Sequence, residues 1–245
     1  MKLNLLKVKN KMLIGFSVFY FGSIIGSLMG AFIERRGRLI EFLLGRSYCV
    51  NCKSYIPIYY NIPIFSYIFL RGKCHNCKEK IPIYNLFYEI TMGSLFLIVF
   101  INKGLSIEFF LRAIQITILL TIAFTDLKIQ YIYTFDLVLL LISEVIYKYM
   151  KNQNVFKGLY PMVMLLVIFL LIYFISGGIG EGDIYLGAIS GFFTNNLYEG
   201  FILFRNSFII AALVAIILLI LKRKKKEDAI AFAPYIVIGI IKEIL

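Results

Sequence analysis

Residues 158–183 read GLYPMVMLLVIFLLIYFISGGIGEGD. Positions 158–176 hold no charged side chain and are long enough, as a helix, to cross a hydrocarbon core about 30 Å thick. The run then breaks into GGIGEGD, where Gly177, Gly178, Gly180 and Gly182 admit backbone shapes that other residues resist. Asp183 closes it at the mouth of a second apolar run, IYLGAISGFF. Read alone, this stretch has two interpretations. Asp183 is either the N-cap of the next helix or a carboxylate kept near a membrane for a purpose, because such a group is costly there.

The remaining composition fixes the setting. Of 245 residues 60% are hydrophobic, the mean hydropathy is +0.85, and there is no tryptophan. That is too apolar for a soluble domain and predicts an all-α polytopic membrane protein. Apolar runs at 12–33, 83–101, 106–124, 131–148, 158–176, 183–197, 200–221 and 229–244 predict about eight transmembrane helices. Lys2, Lys7, Lys9 and Lys11 precede a first run of spanning length, so it is read as retained rather than as a cleaved signal.

The net charge of +12 is read as loop charge that sets orientation, not as a nucleic-acid surface. Basic residues crowd the loop 34–82 and the run KRKKK at 222–226, which places both in the cytoplasm with the N-terminus outside. Lys148, Lys151, Lys157 and the N-terminal lysines count the other way. In this arrangement the connections at 125–130 and 177–183 share the cytoplasmic face. The first of them holds Asp126, in AFTDLKIQYIY at 123–133. Two carboxylates distant in sequence thus meet one face, each at a helix end. Asp136 and Glu144 fall on one face of the fourth run and point to a polar interior.

All four cysteines lie in the loop 34–82. Cys49 and Cys52 form one C-x-x-C, Cys74 and Cys77 the other, with 21 residues between the pairs. Two such knuckles supply four thiolates to a tetrahedral Zn²⁺. A redox pair or free thiols are the alternatives, and a reducing compartment argues against disulfides. His75 is read as a solvated neighbour of better ligands. A loop this short needs a staple to fold, so zinc would supply much of its stability. A nucleic-acid-binding ribbon is set aside because both ends of the loop lead into membrane spans. The run NIPIFSYIFLRG is apolar and basic and is read as lying against the membrane surface.

Four segments together resemble the type IV prepilin peptidases, the GxGD-type membrane aspartic proteases with leader peptidase and N-methyltransferase activity. GSLMGAFIERRG (26–37) is similar to the end of that family's first span, and NIPIFSYIFLRGKC (61–74) to its NIP-x-x-SY-x-x-LRGKC. GGIGEGDIYLGA (177–188) resembles its GxGD segment and AFAPYIVIG (231–239) its last span. The chain departs from the family at Gly30, Val50, Ile132–Thr134 and Tyr185, and keeps both aspartates and all four cysteines.

The resemblance implies catalytic aspartates at Asp126 and Asp183 and metal ligands at Cys49, Cys52, Cys74 and Cys77. It implies cleavage of the leader from type IV prepilin or pseudopilin-like precursors at the cytoplasmic face of a bacterial membrane. N-methylation with S-adenosylmethionine would follow. Gly180, Glu181 and Gly182 are the candidate substrate contacts. The expected domains are the first transmembrane helix (1–33), a cytoplasmic zinc-binding domain (34–82) and a transmembrane peptidase domain (83–245). A catalytically silent assembly factor of a pilus, secretion or competence system, with the same fold, is the competing expectation.

Overall fold

The computed structural model describes residues 2–222 and 230–245, with the side chains of 2–10, 39, 43 and 44 left aside. Ten α-helices are described: α1 (Lys2–Glu34), α2 (Leu39–Leu44), α3 (Phe65–Phe69), α4 (Ile83–Lys103), α5 (Ile107–Ile129), α6 (Thr134–Met150), α7 (Leu159–Ser176), α8 (Glu181–Phe192), α9 (Leu197–Ile220) and α10 (Ala233–Ile244). Among the described residues the only extended pairing is two isolated bridges, Tyr48 with Tyr55 and Lys73 with Lys80.

Five helical stretches are long and apolar enough to cross a membrane: Lys11–Glu34, Ile83–Lys103, Ile107–Ile129, Val155–Ser176 and Leu197–Ile220. Among the described residues the fold is all-helical, and these stretches make a multi-pass membrane protein. The other three expected spans, 131–148, 183–197 and 229–244, are present as α6, α8 and α10, of 17, 12 and 12 residues. α8 and α10 are shorter than the roughly 17–25 residues a crossing takes, while α6 stands at the lower end of that range. Arg223–Lys226, read from sequence as an orientation signal, lie outside the described residues.

The chain divides into two compact units, 1–117 and 118–245. In the first, α1 and α4 pair closely because glycine removes side chains where the backbones meet. A Cβ on Gly22 would lie 3.0 Å from the Gly93 Cα, and one on Gly26 would lie 3.0 Å from the Glu89 Cα. Small residues at such contacts let helices associate where lipid supplies no hydrophobic drive. Tyr84 seals the top of the pair by donating to Glu34 Oε1 at 2.8 Å.

In the second unit α8 is the central element, packed by α6, α7, α9 and α10. It is apolar nearly all round, with Ile184 and every residue from Leu186 to Phe192 buried. Such a helix belongs inside a bundle. Two of its glycines admit α7: a Cβ on Gly187 would strike the Phe169 ring, and one on Gly191 would lie 2.6 Å from the Pro161 carbonyl. Rings of Phe169, Phe204, Phe208 and Phe232 then lock α7, α9 and the entry to α10 together, with centroids 4.6–6.2 Å apart.

The far end of α8 is held by a cation. Lys148, on α6, is buried, donates to the Phe192 carbonyl at 2.6 Å and sits 4.4 Å over the Phe192 ring. Gly158 leaves the room it needs, since a Cβ there would lie 2.6 Å from Nζ. A positive charge at a helix C-terminus satisfies an orphan carbonyl and opposes the helix dipole. Lys148 is therefore committed to the protein interior rather than to a loop. Asp136 and Glu144 of the same helix are buried as well, in line with the polar interior expected from their spacing.

Candidate functional site

Asp126 sits in the last turn of α5, buried, where its carboxylate meets the start of α10. The Ala233 N–H donates to Asp126 Oδ2 at 3.0 Å. Ala233 is the first residue of α10 and Pro234 follows it, a residue suited to a first helical turn because its missing N–H is not needed there. A helix N-terminus is a natural seat for a carboxylate.

Asp183 lies in the first turn of α8. The N-cap of that helix is Gly180, whose carbonyl accepts from the Asp183 N–H at 3.0 Å. Asp183 is thus the third helical residue and not the cap, which removes the simpler of the two readings of GGIGEGD. Its Oδ1 is buried and has no hydrogen-bond partner among the described residues. A buried acceptor left open inside a protein is rare enough to call for a ligand, a water or a proton.

Both aspartates line one cavity of about 360 Å³, together with Gln130, Tyr131, Ile132, Thr134, Leu137, Tyr185 and the residues Gly180, Glu181 and Gly182. They stand close enough for their charges to act on each other. The three residues expected to touch substrate differ in setting. Glu181 is exposed. Gly182 is filled from behind, as a Cβ there would lie 2.8 Å from the Ile132 Cβ. Gly180 has open space apart from Asp183 Oδ2, 3.4 Å from where its Cβ would be.

Cys49, Cys52, Cys74 and Cys77 lie in the first unit, and their Sγ atoms all fall within 4.8 Å of one another. Cys49 and Cys77 are 3.8 Å apart and Cys52 and Cys74 4.0 Å. Thiolates around a tetrahedral Zn²⁺ at about 2.3 Å would be spaced by roughly 3.8 Å, so the four fit a metal ion such as zinc. The knuckles are copies of one turn. The Cys49 N–H donates to the Ser54 carbonyl and Cys74 N–H to that of Glu79; Lys53 N–H returns to Cys49 and Lys78 N–H to Cys74. Asn51 reaches Cys77 and Asn76 reaches Cys52, each at 3.9 Å. The Ser54 hydroxyl, 2.9 Å from Cys52 Sγ, pulls that thiol down to about 6, toward the thiolate a metal needs. His75 points to the Tyr60 ring, 4.7 Å away, and takes no part in the cluster.

Sequence reasoning missed the start of α10 as the partner of Asp126. The signal was present in AFAPY, where proline marks a helix beginning. It also missed Lys148, which reads as loop charge until the end of α8 is placed against it.

No curated protein and no solved structure matches the chain. A family model does: that of the bacterial peptidase A24 N-terminal domain, over residues 20–103. It covers the second half of α1, both knuckles and α4, so this part of the chain is similar to the N-terminal domain of that bacterial peptidase family.

Proposed function

We propose that this membrane-embedded peptidase-family protein removes the leader of type IV prepilin-like precursors with Asp126 and Asp183. The observation that carries this reading is the pair itself: two carboxylates, each at a helix end, facing one cavity. Peptide hydrolysis needs a base for the attacking water and an acid for the scissile carbonyl and leaving amine. Two carboxylates sharing one proton supply both and titrate as a unit.

The hydrogen bonds support a division of roles. Asp126, held by the Ala233 N–H, carries the charge and takes the proton of the water. Asp183, with Oδ1 open, carries the shared proton and directs it at the carbonyl. Open space at Gly180 gives an extended substrate strand a path past Asp183. The cysteine domain is a zinc-stabilised platform in this reading, with its ligands at Cys49, Cys52, Cys74 and Cys77. The site faces the cytoplasm of a bacterial inner membrane. Methylation of the new N-terminus with S-adenosylmethionine is a second step, for which the family resemblance is the support.

The test is a co-expressed precursor followed by gel mobility. Asp126→Asn and Asp183→Asn each leave the protein in the membrane and abolish leader removal. Persistent cleavage in both variants would sink the reading. Pilus assembly that survives both variants and fails on cysteine replacement would favour a silent assembly factor instead. Weighing the product by mass spectrometry reads out the cleavage position and any added methyl group.

A further inference from the structure

The segment 61–70, NIPIFSYIFL, lies between the two cysteine knuckles in sequence, yet it also reaches the membrane helices of its own unit. The Phe65 ring stands 6.5 Å from that of Tyr20 on α1. Tyr20 is roughly 21 Å along the helix axis from the Glu34 end, at about 1.5 Å per residue. That is near the middle of the Lys11–Glu34 span. The Ile64 N–H donates to Glu89 Oε2 at 2.7 Å, and Glu89 lies inside the α4 span.

A backbone at that depth survives only if its polar groups are paired within the protein. Here they are. Pro63 has no N–H. The Ile64 N–H goes to Glu89, Phe65 N–H to the Pro63 carbonyl at 2.6 Å, and Ser66 N–H to Ile62 at 3.0 Å. Ile68 N–H goes to Ile64 and Leu70 N–H to Ser66. The Pro63–Phe65 bond closes a tight γ-turn with Ile64 at φ +65, a strained shape for a β-branched residue. Strain of this kind persists when surrounding contacts over-determine it, and the Glu89 carboxylate is one of them.

Outward from this anchored turn, α3 shows one bare apolar face. Phe65, Ile68 and Phe69, at helical spacing, are 57, 64 and 80% exposed. Arg71 and Lys73 follow directly and are exposed too. An apolar face beside a span, bordered by cations, is the pattern of a segment set into a bilayer with its charges at the head groups. The loop 34–82 that carries it is rich in lysine and arginine, which complements anionic lipid.

We infer that residues 61–70 are a re-entrant membrane segment whose Phe65/Ile68/Phe69 face contacts lipid acyl chains, pinned at its turn by Glu89. The cysteine knuckles on either side of it then rest at the head-group level. Neither aspartate enters this reading, so its outcome is separate from that of the proposed cleavage.

The absence of tryptophan makes the test direct. The full chain carrying Phe69→Trp is reconstituted in vesicles of phosphatidylethanolamine and phosphatidylglycerol, with or without bromine on the acyl chains. Ile68→Trp, on the same face, is a second reporter should one variant fail to fold. Val50→Trp, exposed between Cys49 and Cys52, is the control. The expected result is blue-shifted emission from both α3 reporters, quenched by brominated lipid and not by acrylamide, with red, acrylamide-quenched emission from Val50→Trp. Red, acrylamide-quenched emission at both α3 reporters would place the face in water and overturn the inference. Blue-shifted emission that brominated lipid leaves unquenched would mean a protein partner covers the face and would overturn it equally. Bromine quenching of the Val50 reporter would show the whole domain sunk in lipid rather than one segment, which also contradicts it.

Discussion

At the level of single residues, the two glycines before Asp183 are not equivalent. Gly182 has Ile132 where its Cβ would be, 2.8 Å away, while the nearest atom to a Cβ on Gly180 is Asp183 Oδ2 at 3.4 Å. Gly182→Ala therefore pushes the first turn of α8 away from Ile132 and moves Asp183 with it. A shift near 1 Å at a reacting group costs on the order of 100-fold in rate. Measured leader-removal rates are expected to fall by about that factor in Gly182→Ala, with partial recovery in Gly182→Ala/Ile132→Ala because the clash is relieved. Gly180→Ala should cost less, through crowding of substrate alone. Equal losses in both variants would show that Ile132 does not set the position of Asp183.

Among elements, α8 is held at both ends by other helices, and this is where sequence and structure part. The glycine cluster marked the start of α8, and apolar runs and paired knuckles were legible because each signal is local, a run length or a two-residue spacing. Lys148 was not, because its partner is the Phe192 carbonyl, 44 positions away, and no periodicity reports a carbonyl. The same limit hid Ala233 as the donor to Asp126. Two expected spans, α8 and α10, proved shorter than a crossing since hydropathy marks apolar content, whereas Gly180 and Phe232 cap their helices by backbone geometry. Lys148→Met keeps the apolar stem and removes the donor, leaving a buried carbonyl at the end of α8. A hydrogen bond from a charged group is worth about 1.5–3 kcal/mol. Thermal unfolding in detergent should show a loss of that order, and an unchanged midpoint would mean another donor takes over.

Over the whole molecule, the membrane helices and the cysteine knuckles ask for different supports. The membrane helices carry their own hydrogen bonds and pack through glycine contacts. The knuckles have two bridges, few buried apolar residues and four converging thiols, so a bound metal would contribute much of their folding free energy. Purified protein is expected to hold one zinc per chain by elemental analysis, and a Cys52→Ser/Cys74→Ser variant none. The variant should gain protease sensitivity in 46–80 while helix content in the membrane persists. Zinc content unchanged by that pair of substitutions would count against the site.

The hydrogen bond from Ala233 to Asp126 joins residues 107 positions apart, with four membrane-unit helices made in between. During synthesis both aspartates leave the ribosome well before the residue that holds one of them in place. A nascent chain halted ahead of Ala233 carries both aspartates and lacks the contact to Asp126. On the proposed reading of the two aspartates, the site is complete only once α10 has arrived.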